Sequence, residues 1–252
     1  MNLILSLQIA LGINILFFVP AFIFKTDKLT DFSYGLTFFI IALFGLLNSA
    51  KNLVHFILFF MIFFWSLRLV SYLLIRILKT GKDKRFDQIR HNFFKFLGFW
   101  LLQGISVWVI IIPSVLLFNV KALAITPISI LGVLIWGLGL TVETIADYQK
   151  FNFIHSKENK GKWIKAGLWK YSQHPNYFGE ILNWLGIYIF TISYLSIGNI
   201  LLSFISPIFI TILLVFVTGI PKADQASFKR WGKNPNYIEY KNKTNKLILW
   251  PF

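Results

Sequence analysis

Long apolar runs recur along the chain, over about residues 3–24, 35–50, 53–78, 93–118, 125–146, 177–195 and 199–218. Polar segments separate them. Those near Lys51, Lys121 and Ser196 are short, and those over residues 25–34, 79–92, 147–176 and 219–252 are longer. A helix needs about 20 apolar residues to cross the hydrocarbon core of a bilayer. Backbone polar groups at that depth must be satisfied inside the segment, which favours helices over open strands. The pattern predicts an all-α fold, a polytopic transmembrane helical bundle of about seven spans forming a single membrane domain over 1–252. The second run is the shortest. Dropping it would break the alternation of basic and non-basic connections, so it is kept.

Composition agrees. Of 252 residues, 56% are hydrophobic and 14% charged, and Phe fills 28 positions, whereas a soluble domain carries about 25% charged residues. A formal net charge of +15 raises the question of nucleic acid, but its placement answers it. Twenty-one of the 25 Lys and Arg residues lie in or beside the four longer connections, while the short ones hold only Lys51 and Lys121. Cytoplasmic loops attract such residues, so the expected orientation is N-out and C-in, with the bilayer rather than nucleic acid as partner. Cysteine is absent, which excludes disulfides and thiolate chemistry. Residues 1–24 lack a basic leader and a small-residue cleavage site, so they read as a retained first span.

Polar residues inside spans are costly and are functional candidates by default. The third run carries Arg68, Tyr72 and Arg76 at i, i+4, i+8, on one helix face. Arg76 is near enough to the cytoplasmic end to snorkel; Arg68 is deeper. The fifth run ends in Glu143 and Asp147, also i, i+4, two like charges that need an answering group such as Arg68 or Arg76. The sixth opens on Gln173-His174-Pro175-Asn176-Tyr177-Phe178-Gly179-Glu180 and continues to Asn183. Pro175 suits a first helical position, which places Asn176, Glu180 and Asn183 in one stripe. The N-terminus of that helix, beside a lysine-rich loop, suits phosphates. Gln103 reads as glue between helices. His55, His91, His155 and His174 lack zinc-ligand spacing, and neither a dinucleotide-binding glycine fingerprint nor a nucleophile elbow is present.

The stretch from Gly167 to Glu180 resembles the C-terminal motif of the steroid 5-alpha-reductase-like membrane family, especially its uncharacterised bacterial branch. Trp65-Ser66-Leu67-Arg68 with Arg76, the segment from Gly81 to Phe86, Gln103-Gly104, the segment from Glu143 to Lys150, Gly219-Ile220-Pro221, and Tyr237 to Lys241 resemble the same branch. The likeness covers residues 31–252, with a cofactor half at about 140–252. It implies a bacterial inner-membrane enzyme, its cofactor site facing the cytoplasm, that uses NADPH to reduce a double bond conjugated to a carbonyl in a lipid or steroid-like substrate. It implies cofactor contacts at Arg68, Arg76, Arg85, Glu143, Asp147, Lys150, His174, Asn176, Tyr177, Glu180, Tyr237, Tyr240 and Lys241. Trp65 stands where animal steroid reductases place a carbonyl-polarising Tyr, so Asp31, Tyr34 and Tyr72 become the candidates for that catalytic role. Isoprenylcysteine carboxyl methyltransferases, which use S-adenosylmethionine, have a similar His-Pro-x-Tyr-x-Gly element but usually Arg at the Gln173 position. A non-enzymatic scaffold or transporter, with the stripe as interhelical glue, is the third reading.

Overall fold

The computed structural model of the protein describes residues 1–80, 86–121 and 124–250. No strand forms among them beyond an isolated bridge between Ser172 and Asn245. Ten α-helices among the described residues carry the fold: α1 (Leu3–Ile23), α2 (Lys28–Leu47), α3 (Leu53–Thr80), α4 (Phe93–Leu117), α5 (Pro127–His155), α6 (Pro175–Ile192), α7 (Ile197–Ser203), α8 (Ile205–Ile212), α9 (Ile220–Trp231) and α10 (Pro235–Lys243). Six helical stretches among the described residues are long and apolar enough to cross a membrane: α1 to α5, and the stretch Ile197–Trp231. The protein is a multi-pass helical membrane protein. The expected sixth run forms α6, but with Asn176, Glu180 and Asn183 in it this helix is not among those six.

Two helices outrun their apolar runs. Helix α2 starts at Lys28, so Asp31 and Tyr34 belong to its first turns rather than to a loop. Helix α5 continues to His155, two turns past its last fully buried apolar residue, Ala146. Amphipathic turns of this kind stand outside the bilayer-length pattern and read as loop in a sequence.

The chain divides into two compact units, residues 1–132 with 187–206, and residues 133–186 with 207–252. In the first, α1 packs on α4 and α2 on α3. Its interior is aromatic: Phe38, Trp65, Phe96 and Trp100 are fully buried. Polar side chains tie these helices together. Gln103 Nε2 donates to Asn14 Oδ1 at 2.9 Å, Ser33 Oγ at 3.0 Å and the Thr30 carbonyl at 3.1 Å. Each buried acceptor would otherwise cost its desolvation. At one end of this unit Arg90 pairs with the buried Asp27 at 2.9 Å and with Asp87.

Candidate functional site

The second unit holds most of the sequence motifs, and a close helix crossing organises them. A Cβ on Gly139 of α5 would lie 2.7 Å from the Gly179 carbonyl oxygen and from the Asn183 nitrogen of α6. One on Gly179 would lie 2.7 Å from the Glu143 nitrogen. Only glycine permits backbones this close, the small-residue packing typical of membrane helices. The helices run antiparallel, and the crossing aligns the acidic pair of α5 with the polar stripe of α6.

Asn183 Nδ2 donates to Glu143 Oε2 at 2.9 Å, and Asn176 Nδ2 donates to Asp147 Oδ1 at 3.2 Å. Glu143, Asp147, Glu180 and Asn183 are all buried. An ionised carboxylate only accepts hydrogen bonds, so each amide must turn its NH2 group towards the acid. That fixes the opposite end. Asn176 Oδ1 and Asn183 Oδ1 are shut off from solvent and have no hydrogen-bond partner among the described residues. Glu180 Oε1 accepts from Trp184 Nε1 at 3.0 Å, one turn along α6. Acids and amides thus answer one another, and two acceptor oxygens are left over.

The segment before α6 is locked by its motif residues. Gly167 has φ +62°, a conformation that favours glycine, and a Cβ there would lie within 2.5 Å of the end of the Gln149 side chain, which would have to move. Gln149 Oε1 accepts from the Leu168 nitrogen at 3.0 Å, and Trp169 Nε1 donates to the Ala146 carbonyl at 3.0 Å. Lys150 Nζ sits 4.8 Å from the centre of the Trp169 ring, a cation–π contact. Tyr240 Oη donates to the Trp169 carbonyl at 2.8 Å, and burial pushes that phenol well above its usual range. Gln173 Nε2 donates to the carbonyls of Lys241 at 2.8 Å and Thr244 at 2.6 Å.

His174 lies at the foot of α6, its ring stacked on Tyr177 at 5.4 Å. Its Nε2 meets Asp224 Oδ1 at 3.2 Å, and Lys241 Nζ reaches the same oxygen at 2.6 Å. Burial lowers the His174 imidazole from its ordinary value, opposed by the hydrogen bond to Asp224. Burial works against the charge on Asp224 too, but hydrogen bonds from His174 and Lys241 hold its carboxyl down at about 2. Asp224 lies in the polar helix α9, beyond the last apolar run. Tyr237 is buried against Trp163 and Trp231, with ring centres 5.3 and 5.7 Å away.

The remaining sequence candidates lie in the first unit. Arg76 Nη2 pairs with Asp31 Oδ2 at 3.2 Å, both about one-third exposed. The Arg68 guanidinium lies 5.6 Å from the centre of the Tyr72 ring. Tyr34 packs edge-on against Phe38 and Trp65. Arg85 falls outside the described residues. Sequence reasoning missed Gly139, whose partner lies 40 positions away, and the clamp made by Gln173. Asp224, in a position where the resembled bacterial branch usually has Glu, was not among the expected site residues.

This is a helical membrane protein with a buried, motif-rich polar crossing in its second unit. Residues 17–244 match the family described as "Protein of unknown function (DUF1295)", and the chain belongs to that family. No curated protein and no solved structure matches it.

Proposed function

We propose that the protein is an NADPH-dependent reductase of a conjugated double bond in a lipid or steroid-like molecule, acting in a bacterial inner membrane with its cofactor residues on the cytoplasmic side. One observation carries the reading furthest. Two side-chain oxygens, Asn176 Oδ1 and Asn183 Oδ1, are buried without a partner among the described residues beside a carboxylate pair. Buried acceptors are normally satisfied, and the N–H donors of a nicotinamide carboxamide would suit Asn176 Oδ1, at the start of α6. Asn183 lies about 10 Å further along the helix and would need a separate donor.

Asn176 and Glu180 would hold the ring end. Lys150, Lys241 and the first turn of α6 would hold phosphates, since a helix N-terminus and cations favour anions. NADPH, when bound, supplies hydride, and the protein supplies position and dryness. The developing oxyanion on the substrate needs a preorganised donor. Asp31, Tyr34 and Tyr72, proposed for it from the sequence, each carry a polar tip on α2 or α3.

The test is a thermal-shift titration of the full chain in detergent with NADPH, NADH and S-adenosylmethionine. A ligand at a hundred times its Kd stabilises the bound state by about 2.7 kcal/mol. NADPH is expected to raise the midpoint saturably, and Asn176→Ala and Glu180→Gln to abolish that rise, measured for each variant against its own unliganded midpoint, which the loss of the amide donor to Asp147 lowers in Asn176→Ala. Protection by S-adenosylmethionine instead selects a methyltransferase. Protection by none of the three selects a scaffold.

A further inference from the structure

One face of α9 is fully engaged within the second unit. Ile220 is buried, Asp224 takes His174 and Lys241, and Trp231 Nε1 donates to the Gly161 carbonyl at 2.7 Å. These positions recur at helical spacing and define the inward face. The rest of the helix is unusual for a surface in water. Pro221 and Phe228, seven residues apart, form one exposed strip, with Phe228 64% exposed. Lys222 and Lys229 form a second exposed strip one step further round, and the exposed Lys233 just past the helix end extends its line. The single acid of α9, Asp224, is turned inward, so the outer strips carry no negative charge.

The position of the helix in the chain gives this surface its setting. The last apolar run ends at Thr218, and α9 begins at Ile220. The residue between them is held tightly, since a Cβ on Gly219 would lie 2.5 Å from the Leu214 carbonyl oxygen. A helix that leaves a membrane segment through one tight residue starts at headgroup depth. An apolar strip beside a lysine strip is the pattern of helices lying in that layer. The tail of the same unit adds exposed Ile248 and Trp250 and the mostly exposed Lys246.

We propose that α9 is an interfacial helix that sets Phe228 and Pro221 among acyl chains and lays Lys222, Lys229 and Lys233 on the phosphates of anionic phospholipids. The occupant is the surface of the bilayer that holds the chain. The positive strips complement anionic headgroups, and the covalent link to the preceding span keeps them there. This inference is independent of the cofactor.

The chain has no cysteine, so Phe228→Cys carrying a nitroxide reports one location in the full-length protein. In nanodiscs of phosphatidylglycerol and phosphatidylcholine, the label should be relaxed by oxygen more strongly than by a water-soluble nickel chelate. Pro221→Cys, on the same strip, should give the same result. Discs of phosphatidylcholine alone should shift both labels towards water. Lys222→Gln, Lys229→Gln and Lys233→Gln in the anionic discs should do the same, each substitution lowering the lipid-bound to water-exposed ratio by about fivefold. Equal nickel accessibility in both kinds of disc overturns the proposal, as does indifference to the three substitutions. Restoration of the oxygen-dominated signal in phosphatidylcholine discs by inorganic phosphate would also overturn it, because the site would then take a free anion.

Discussion

Gly139 and Gly179 bring α5 and α6 into backbone contact, each glycine occupying the space where the other helix would meet a Cβ at 2.7 Å. The polar pairs depend on this approach, because the 2.9 Å Asn183–Glu143 bond lies at the contact itself and the 3.2 Å Asn176–Asp147 bond lies further along the same crossing. Alanine at either position forces the helices apart. Overpacking of this kind costs about 1–3 kcal/mol, so Gly139→Ala and Gly179→Ala should each lower the thermal midpoint in detergent. Gly137, two residues away, has nothing within 4 Å of its Cβ position. Gly137→Ala should be neutral or stabilise by up to about 1 kcal/mol through helix propensity. Equal midpoints for all three variants would rule out the tight crossing.

Asn183 ties that crossing chemically. Replacing it with Leu removes the donor to Glu143 Oε2, at a cost of about 1–3 kcal/mol for a buried hydrogen bond to a charged group. Asn183→Asp should be worse, since it sets a second carboxylate against Glu143. A double-mutant cycle with Glu143→Gln separates the pair from its surroundings. Coupling of about 0.5 kcal/mol or more between the sites is expected for residues in contact. Coupling near zero in thermal denaturation would show that the two side chains act separately.

The α6 stripe was legible in the sequence because Asn176, Glu180 and Asn183 follow the helical period on an apolar background, and that period alone puts them on one side. The acids at 143 and 147 were legible for the same reason. Their partners were less so. Arginines are the answering groups the sequence suggests; the asparagine amides on both acids and the pairing of Arg76 with Asp31 are contacts it did not suggest. A helix period ranks residues by face but says nothing of which face meets which. Gly139 was invisible for that reason, being one glycine among several in a membrane helix. The extents of α2 and α5 were misread at Lys28 and at His155, because polar end turns lie outside the apolar runs that reveal spans.

The cluster at the foot of α6 should make stability depend on pH. His174 faces Asp224, with Lys150 and Lys241 nearby and Lys246 3.9 Å from the acid. The folded state lowers the imidazole pKa through burial, so folding favours the neutral ring. The stabilisation is complete above the ordinary value of about 6.5 and is lost as pH falls below it through the depressed folded value. Asp224 acts in the same direction lower down. Its stabilisation is present above its ordinary 3.8 and lost as pH falls towards about 2; after discounting for solvent screening it is of order 1 kcal/mol. His174→Gln should flatten the midpoint-against-pH curve as pH falls below about 6.5. A variant curve parallel to that of the parent below about pH 6.5 would remove His174 as the titrating group.

Gln173 fastens the C-terminal tail to the start of α6. Its Nε2 spans the carbonyls of Lys241 and Thr244, its backbone nitrogen donates to the Asn245 carbonyl at 2.8 Å, and Ser172 Oγ donates to the Leu247 carbonyl at 2.7 Å. The side chain thus accounts for two of four bonds across this seam. Gln173→Ala deletes those two, at about 1 kcal/mol each, and leaves the backbone bond and the Ser172 bond. Gln173→Glu is the harsher change, because a carboxylate has no proton to give and would face two carbonyl oxygens. Trypsin reports the result directly, since Lys241, Lys243 and Lys246 all lie at the seam. Cleavage there should be slowest in the parent, faster in the alanine variant and fastest in the glutamate variant. If the two variants are cut at the same rate as the parent while their melting midpoints are unchanged, the seam is held without the Gln173 side chain, which is then dispensable to it.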